Sequence, residues 1–334
     1  MKSKLILFLI MAMAVMSFAA CGGDKESSDK SGSDTKKEDA NKTETIEITC
    51  LNGASEEIKL EVPYAPKRIV VIDMAALDIL VSLGLEDSIV GSASTSLDYL
   101  KGVANAQGVA NVGTIKTPDL EAIMECEPDI IFMGGRGAEY YDTLIEIAPV
   151  VRLVTDSEIG VVESVEKNAK IIASIFGMED EIDKKVAGFG ERITALQKIA
   201  KDKNAIVGMC TSGSFNVLGN DGRCSIIGVE IGFNNIGVDA NIDTSTHGNE
   251  ASFEYIVEKA PDYIFVMDRD AAIGAEGAKL AKEIVENDLV KDTAAYKNGN
   301  IIYLENPAVW YTAEGGIAAL DIMLSDLEKG LSQE

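Results

Sequence analysis

Polar and apolar residues alternate over residues 45–51 and 57–62, and a turn beginning at Asn52-Gly53 separates the two runs. Alternation sends successive side chains to opposite faces, so the pair is predicted as a β-hairpin, ended by Pro63. The next apolar run, Ile69-Val70-Val71-Ile72 after Arg68, is continuous, as in a strand of a parallel sheet buried on both faces. A helix is predicted over 75–83, stopped by Gly84, and strands and helices then alternate to about Val154, the pattern of an α/β domain. Residues 162–176 read as a helix closed by Gly177. The stretch 179–203 carries Ile182, Val186, Phe189, Ile193, Leu196 and Ile199 on one stripe of helical period. It is predicted as one long helix of roughly 35 Å, at ~1.5 Å per residue. A strand over 205–209 follows.

One internal match organises this alternation. The segment LEAIMECEPDIIF, residues 120–132, recurs 133 residues later as FEYIVEKAPDYIF, residues 253–265. Each copy reads as a short helix, a Pro-Asp turn and a buried strand. Arg136 and Arg269 both fall four residues past the final Phe of their copy. The chain is therefore predicted to fold as two α/β lobes joined by a single long helix, with a ligand cleft between the lobes. The N-terminal lobe spans 46–177, the connecting helix 178–203 and the C-terminal lobe 204–334. In open parallel sheets ligands bind beyond the C-terminal ends of strands, where both arginines are expected.

The N-terminus has a different character. Lys2 and Lys4 precede an uncharged, mostly apolar run of sixteen residues, 5–20. That is short for a bilayer-spanning helix, which needs ~20 residues, and suits an export signal. It ends Phe18-Ala19-Ala20-Cys21, small residues before a cysteine, as in a bacterial lipoprotein signal. Residues 1–20 are expected to be removed and Cys21 to carry the lipid; ordinary secretion with a free Cys21 is the alternative. The rest of 21–45 is polar apart from Ala40, too poor in apolar surface to offset ordering, and reads as a disordered tether. The body is thus expected at the extracytoplasmic face of the membrane.

Composition narrows the function. Among 334 residues, 55 acids outnumber 30 bases, a formal charge of −25, which argues against a nucleic-acid binder. The single histidine, His247, excludes zinc sites built on several histidines. Cys50, Cys126, Cys210 and Cys224 are scattered, with no C-x-x-C, and are expected as buried thiols rather than bridges. There is no G-x-S-x-G, Walker loop or H-E-x-x-H, so nothing marks an enzyme. Arginine is scarce, six in all, and Arg136, Arg223 and Arg269 fall in loops at element ends. Their planar, permanently charged forks suit oxyanions, although any of them could instead pair with a neighbouring acid, as Asp268 beside Arg269. His247 and Tyr311 read as a capping and a core residue, or together as a donor pair suited to Fe(III).

The segments Ser245-Thr246-His247-Gly248, Ser252-Phe253-Glu254-Tyr255-Ile256, residues 261–269, Ala295-Tyr296-Lys297-Asn298-Gly299 and Trp310-Tyr311 resemble a known family. They are similar to the substrate-binding lipoproteins of ABC importers for ferric siderophores, the long-helix class III of periplasmic binding proteins. The subgroup most alike takes catecholate chelates such as petrobactin. The resemblance covers about 45–331 and implies an Fe(III)-siderophore ligand, no intrinsic cofactor, no catalytic residue, an ABC permease partner and a monomer. His247 and Tyr311 then complete the iron shell of tetradentate ligands, and Arg136, Arg223 and Arg269 line the cleft. Trp310, the only tryptophan, is expected beside the ligand. Glu121 and Glu254, one on each repeat copy, are the docking acids for the permease, or else solvated helix-face acids. The chain departs from the subgroup at Val309, where a second Tyr is frequent, and at Cys224, where a Phe is frequent. Other readings are a haem or corrinoid receptor, an extracellular siderophore esterase using His247, and a surface adhesin on the same scaffold.

Overall fold

The computed structural model describes residues 44–237 and 248–332. Cys21, the export signal, most of the tether and His247 lie outside the described residues. The first sheet contains β1 (Thr45–Leu51), β2 (Glu57–Pro63), β3 (Ile69–Val71), β4 (Ile89–Ser92), β5 (Ala110–Asn111), β6 (Ile130–Met133) and β7 (Val150–Arg152), in the order β2-β1-β7-β6-β3-β4-β5. β1 and β2 form the antiparallel hairpin predicted around Asn52-Gly53, with Asn52 and Glu56 bonded across the turn. The strands β7, β6, β3, β4 and β5 run parallel, and β3 and β6 are buried along their whole length. That explains their unbroken apolar sequences.

The second sheet contains β8 (Asn204–Thr211), β9 (Ser214–Leu218), β10 (Asn234–Asn235), β11 (Asn249–Glu250), β12 (Tyr263–Asp268) and β13 (Ile301–Tyr303). Its order is β11-β9-β8-β12-β13, with β10 paired to β8. Along β12 the side chains divide between two cores. Phe265 and Met267 join the main cluster, while Ile264 and Val266 join a smaller one with Ile206 and Phe215. Both faces of this sheet are therefore covered.

The internal repeat is a structural repeat. The helices Leu120–Glu125 and Phe253–Lys259 are capped by Asp119 and Ser252, whose side chains accept from the amides of Ala122 and Tyr255. After each helix the chain turns through a left-handed residue, Glu127 and Ala260, immediately before the proline. The aspartate that follows ties down the neighbouring strand. Asp129 Oδ2 accepts from the amides of Lys67 and Arg68 just before β3, and Asp262 Oδ2 from that of Asn204 at the start of β8. The Pro-Asp pair thus ends a helix and sets a parallel strand in register, once in each lobe.

The helical connection is interrupted once. It runs Glu179–Val186 and Phe189–Ala200, with Ala187 and Gly188 outside helical geometry between them. Gly188 and Gly190 lower helix propensity by ~1 kcal/mol each, although the apolar stripe continues across them. The C-terminal helix Ile317–Leu331 is a second link between the lobes. Arg192 of the connection grips Glu328 with two bonds, 2.7 and 2.8 Å, and also bonds Asp321. At the other end Asp78, on the helix Met74–Ser82 of the first lobe, accepts from the amides of Ala318 and Ala319 at 2.9 Å each. A Cβ on Gly316 would fall 2.5 Å from Asp78 Cγ, so this approach requires glycine there. All four described cysteines are buried free thiols, as expected.

Candidate functional site

The parallel strands of the first lobe point their C-terminal ends at one cavity of about 430 Å³. Asp73 follows β3, Arg136 follows β6 and Val154 follows β7, and all three line it. From the second lobe come Arg223, Tyr311 and Glu314, so the cavity lies between the lobes. Its size falls within the range of small-ligand sites.

Tyr311 is the centre of the charged wall. It sits near the end of the short helix Pro307–Thr312, which starts with proline at its first position, where no amide partner is lost. The guanidinium carbons of Arg223, Arg136 and Arg269 lie 4.5, 4.8 and 5.5 Å from the Tyr311 ring centre. Arg136 Nη2 donates to the Tyr311 carbonyl at 2.7 Å, and Arg269 Nε donates to its hydroxyl at 3.1 Å. Arg269 is steadied by Thr211 Oγ1 at 3.1 Å and Asp270 at 3.5 Å. It does not line the cavity and meets the phenol from outside it.

These placements follow from the local sequence. Arg136 stands in the loop Gly134-Gly135-Arg136-Gly137, where a Cβ on Gly134 would fall 2.1 Å from Asp73 Oδ1. The glycine lets the Asp73 carboxylate, which caps the helix Met74–Ser82, sit against the Arg136 loop. Arg269 follows β12 directly and opens a one-turn helix that Asp268 caps, so Asp268 serves the backbone rather than pairing with its neighbour. Arg223 precedes Cys224, whose backbone is left-handed.

The electrostatics match the geometry. Burial holds the Arg136 guanidinium below its ordinary range, and the charges of Arg223 and Arg269 add to this against Tyr311 and Asp73. Burial alone would raise the Tyr311 phenol. The hydrogen bond from Arg269 and the charges of Arg223, Arg269 and Arg136 outweigh it, and the net shift is downward. Burial pushes the Asp73 carboxyl up against its amide bonds and Arg136. The Glu314 carboxyl is pushed up to about 7, chiefly by burial, against the Cys224 amide and Arg223, with Glu230 adding to the rise.

The structure brings Arg136, Arg223, Arg269 and Tyr311 together. It does not bring Trp310 to the cavity. That ring is 0% exposed, and its Nε1 donates to Asp326 at 2.9 Å. The expectation that Trp310 touches ligand is corrected: neighbouring residues on a helix diverge by about 100°, and this one faces the core. It fixes the helix that carries Tyr311. Glu121 and Glu254 are exposed in the first turns of the two repeat helices. Asp73 and Glu314 are cavity residues that sequence reasoning missed. Asp73 was detectable as the residue just past the C-terminal end of a buried strand; nothing local marks Glu314. Among the described residues, no group of three or more His, Cys, Asp or Glu side chains could hold a metal ion.

Comparison with known proteins agrees with this architecture. Over its full length the chain is 35% identical to the petrobactin-binding protein YclQ of Bacillus subtilis, covering all of both chains. The crystal structure of YclQ superposes with a TM-score of 0.78 over 86% of this chain and 100% of that one. The periplasmic catecholate-siderophore binding protein VctP of Vibrio cholerae superposes with a TM-score of 0.77 at 30% identity, again over 86% and 100%. The ferric-anguibactin-binding protein FatB of Vibrio anguillarum is 28% identical over 79% of this chain and 82% of its own. Residues 69–308 match the family described as periplasmic binding protein. With its two α/β lobes and interlobe cavity, this chain belongs to the periplasmic binding protein family, as a solute-binding protein and not an enzyme.

Proposed function

We propose that the protein captures a ferric catecholate siderophore outside the cytoplasmic membrane and delivers it to the permease of an ABC importer. The observation that carries this reading is the convergence of Arg136, Arg223 and Arg269 on the single ring of Tyr311 beside the interlobe cavity. A ferric catecholate complex is anionic, with three negative charges for a tris-catecholate and one for a bis-catecholate. Fixed guanidiniums in a partly desolvated cleft supply the matching charge, and low-dielectric walls strengthen the attraction. The ligands for which YclQ and VctP are named, petrobactin and a catecholate siderophore, support the same class.

In this reading Arg136 and Arg223 receive the anionic face of the chelate. Arg269 lowers the phenol of Tyr311 and so favours the phenolate, a hard oxygen donor for Fe(III). Tyr311, with His247, fills iron positions that a tetradentate ligand leaves open. The iron is cargo and arrives with its chelator. Cys21 carries the lipid, and the exposed Glu121 and Glu254 dock on the permease, one per lobe.

Trp310 is the only tryptophan and adjoins Tyr311, so its emission reports an iron chelate by energy transfer even from the core. Titration with a ferric bis-catecholate is expected to quench it saturably, and a ferric hydroxamate and cobalamin to leave it unchanged. Quenching by haem or cobalamin alone would replace the ligand class. No saturable response to any of them would remove iron from the account.

A further inference from the structure

The wall of the cavity is not uniformly basic. Asp73 and Glu314 line it together with Arg136, Arg223 and Tyr311. The Asp73 carboxylate is engaged, capping the helix Met74–Ser82 and facing Arg136. Glu314 stands differently. It lies in the turn between the helix Pro307–Thr312 and the Gly315-Gly316 pair that leads into the C-terminal helix. Its Oε1 accepts from the amide of Cys224 at 3.0 Å. The residue next to Arg223 therefore holds one oxygen of this carboxyl, on a side chain that lines the cavity.

The charges around it are mixed. Arg223 belongs to the loop that supplies the amide, and Glu230 ends the short segment after it. Tyr311 lies on its own segment, and Asp73, Lys116 and Arg136 line the cavity from the first lobe. An anionic chelate seated on Arg136 and Arg223 brings further negative charge to this wall and displaces water from it. Both changes favour the neutral acid. A neutral carboxyl is an O–H donor, whereas a carboxylate only accepts and would repel the same ligand.

Resting on the ferric catecholate reading above, we propose that Glu314 is a ligand-contacting residue of the cleft. Its protonated Oε2 donates a hydrogen bond to an anionic catecholate oxygen, so one proton is taken up from solvent when the chelate binds. The proton stays on Glu314, no covalent bond of the ligand changes, and Oε1 keeps the Cys224 amide throughout. Glu314 thereby selects complexes that turn an anionic oxygen toward this wall. The carboxyl, pushed up to about 7 in the free protein, lets the uptake fall in the neutral range.

The test is calorimetric titration of the full protein with a preformed ferric bis-catecholate, in pairs of buffers of different ionisation enthalpy, across the neutral range. The wild type, Glu314→Gln and Glu314→Ala are compared. Gln keeps an acceptor for the Cys224 amide and presents an N–H that does not titrate, so it mimics the protonated acid. The wild type is expected to take up close to one more proton per chelate than Glu314→Gln on the alkaline side of neutrality. Its Kd should there rise with pH by up to about tenfold per unit relative to that of Glu314→Gln. Glu314→Ala should bind about tenfold more weakly than Glu314→Gln at every pH. Equal proton uptake and parallel pH profiles for wild type and Glu314→Gln would overturn the proposal. No binding of the chelate by the wild type would instead overturn the ferric catecholate reading on which it rests.

Discussion

Arg269 Nε donates a hydrogen bond to the Tyr311 hydroxyl at 3.1 Å, tying the strand end of one repeat copy to the aromatic centre of the cleft. A guanidinium in that position stabilises the phenolate over the phenol, and Arg223 and Arg136 act in the same direction. Arg269→Leu is therefore expected to move the Tyr311 titration to higher pH. Ultraviolet difference titration, with Tyr311→Phe subtracted to remove the other tyrosines, measures it. An unchanged titration would mean that Arg269 does not tune this phenol.

Arg136 and Arg223 are expected to act through charge. Arg136→Ala should weaken a ferric chelate by about tenfold or more, as for loss of a charged hydrogen-bond partner. The loss should shrink at high ionic strength, because a Debye length of ~10 Å at 0.1 M shortens with salt. Fluorescence titrations at two salt concentrations check both statements.

Glu314 also makes a prediction that needs no ligand. Burial pushes its folded carboxyl up to about 7, above the ordinary value of 4.5. A group raised in this way contributes stability that is fully present below the unfolded value and is lost as pH rises through the folded one. Relative to Glu314→Gln, the wild type should therefore lose stability between about pH 4.5 and 7.5, by on the order of 3 kcal/mol. Urea unfolding of both proteins across that range measures the difference.

Asp78 is buried and holds the Ala318 and Ala319 amides together with the Tyr99 hydroxyl, the last at 2.6 Å. Asp78→Ala strands these donors at the junction between the first lobe and the C-terminal helix, and also removes the acceptor of the Ser82 hydroxyl at 3.4 Å. A loss of about 3 kcal/mol is expected from the missing cap and the unsatisfied groups. The urea midpoint should fall accordingly.

Trp310→Phe separates structure from binding. It removes the bond to Asp326, whose oxygens still accept from the Asn306 amide and side chain. Thermal unfolding should move down, by about 1–3 kcal/mol, while affinity for a ferric chelate, measured by calorimetry, changes far less than in Arg136→Ala.

What was legible in the sequence was what local chemistry repeats. The Pro-Asp turn betrayed itself twice because Asp129 and Asp262 perform the same task before β3 and β8. The shared register then placed Arg136 and Arg269 at strand ends. Tyr311 was legible by resemblance, but the side its neighbour Trp310 faces was not, since adjacency in sequence is divergence on a helix. The break at Ala187-Gly188 was hidden by an apolar stripe that runs straight through it. Glu314 was hidden because its environment is tertiary: burial between Cys224, Arg223 and Glu230 is made by segments more than eighty residues away.

Locating the iron tests the ferric catecholate reading. Crystals of the protein with a ferric bis-catecholate, measured on both sides of the iron absorption edge, give its position by anomalous scattering. A single iron is expected in the interlobe cavity, with Arg136 and Arg223 against the chelate and the Tyr311 oxygen turned toward the metal. Iron bound elsewhere on the molecule, or a chelate seated away from these three side chains, would contradict it.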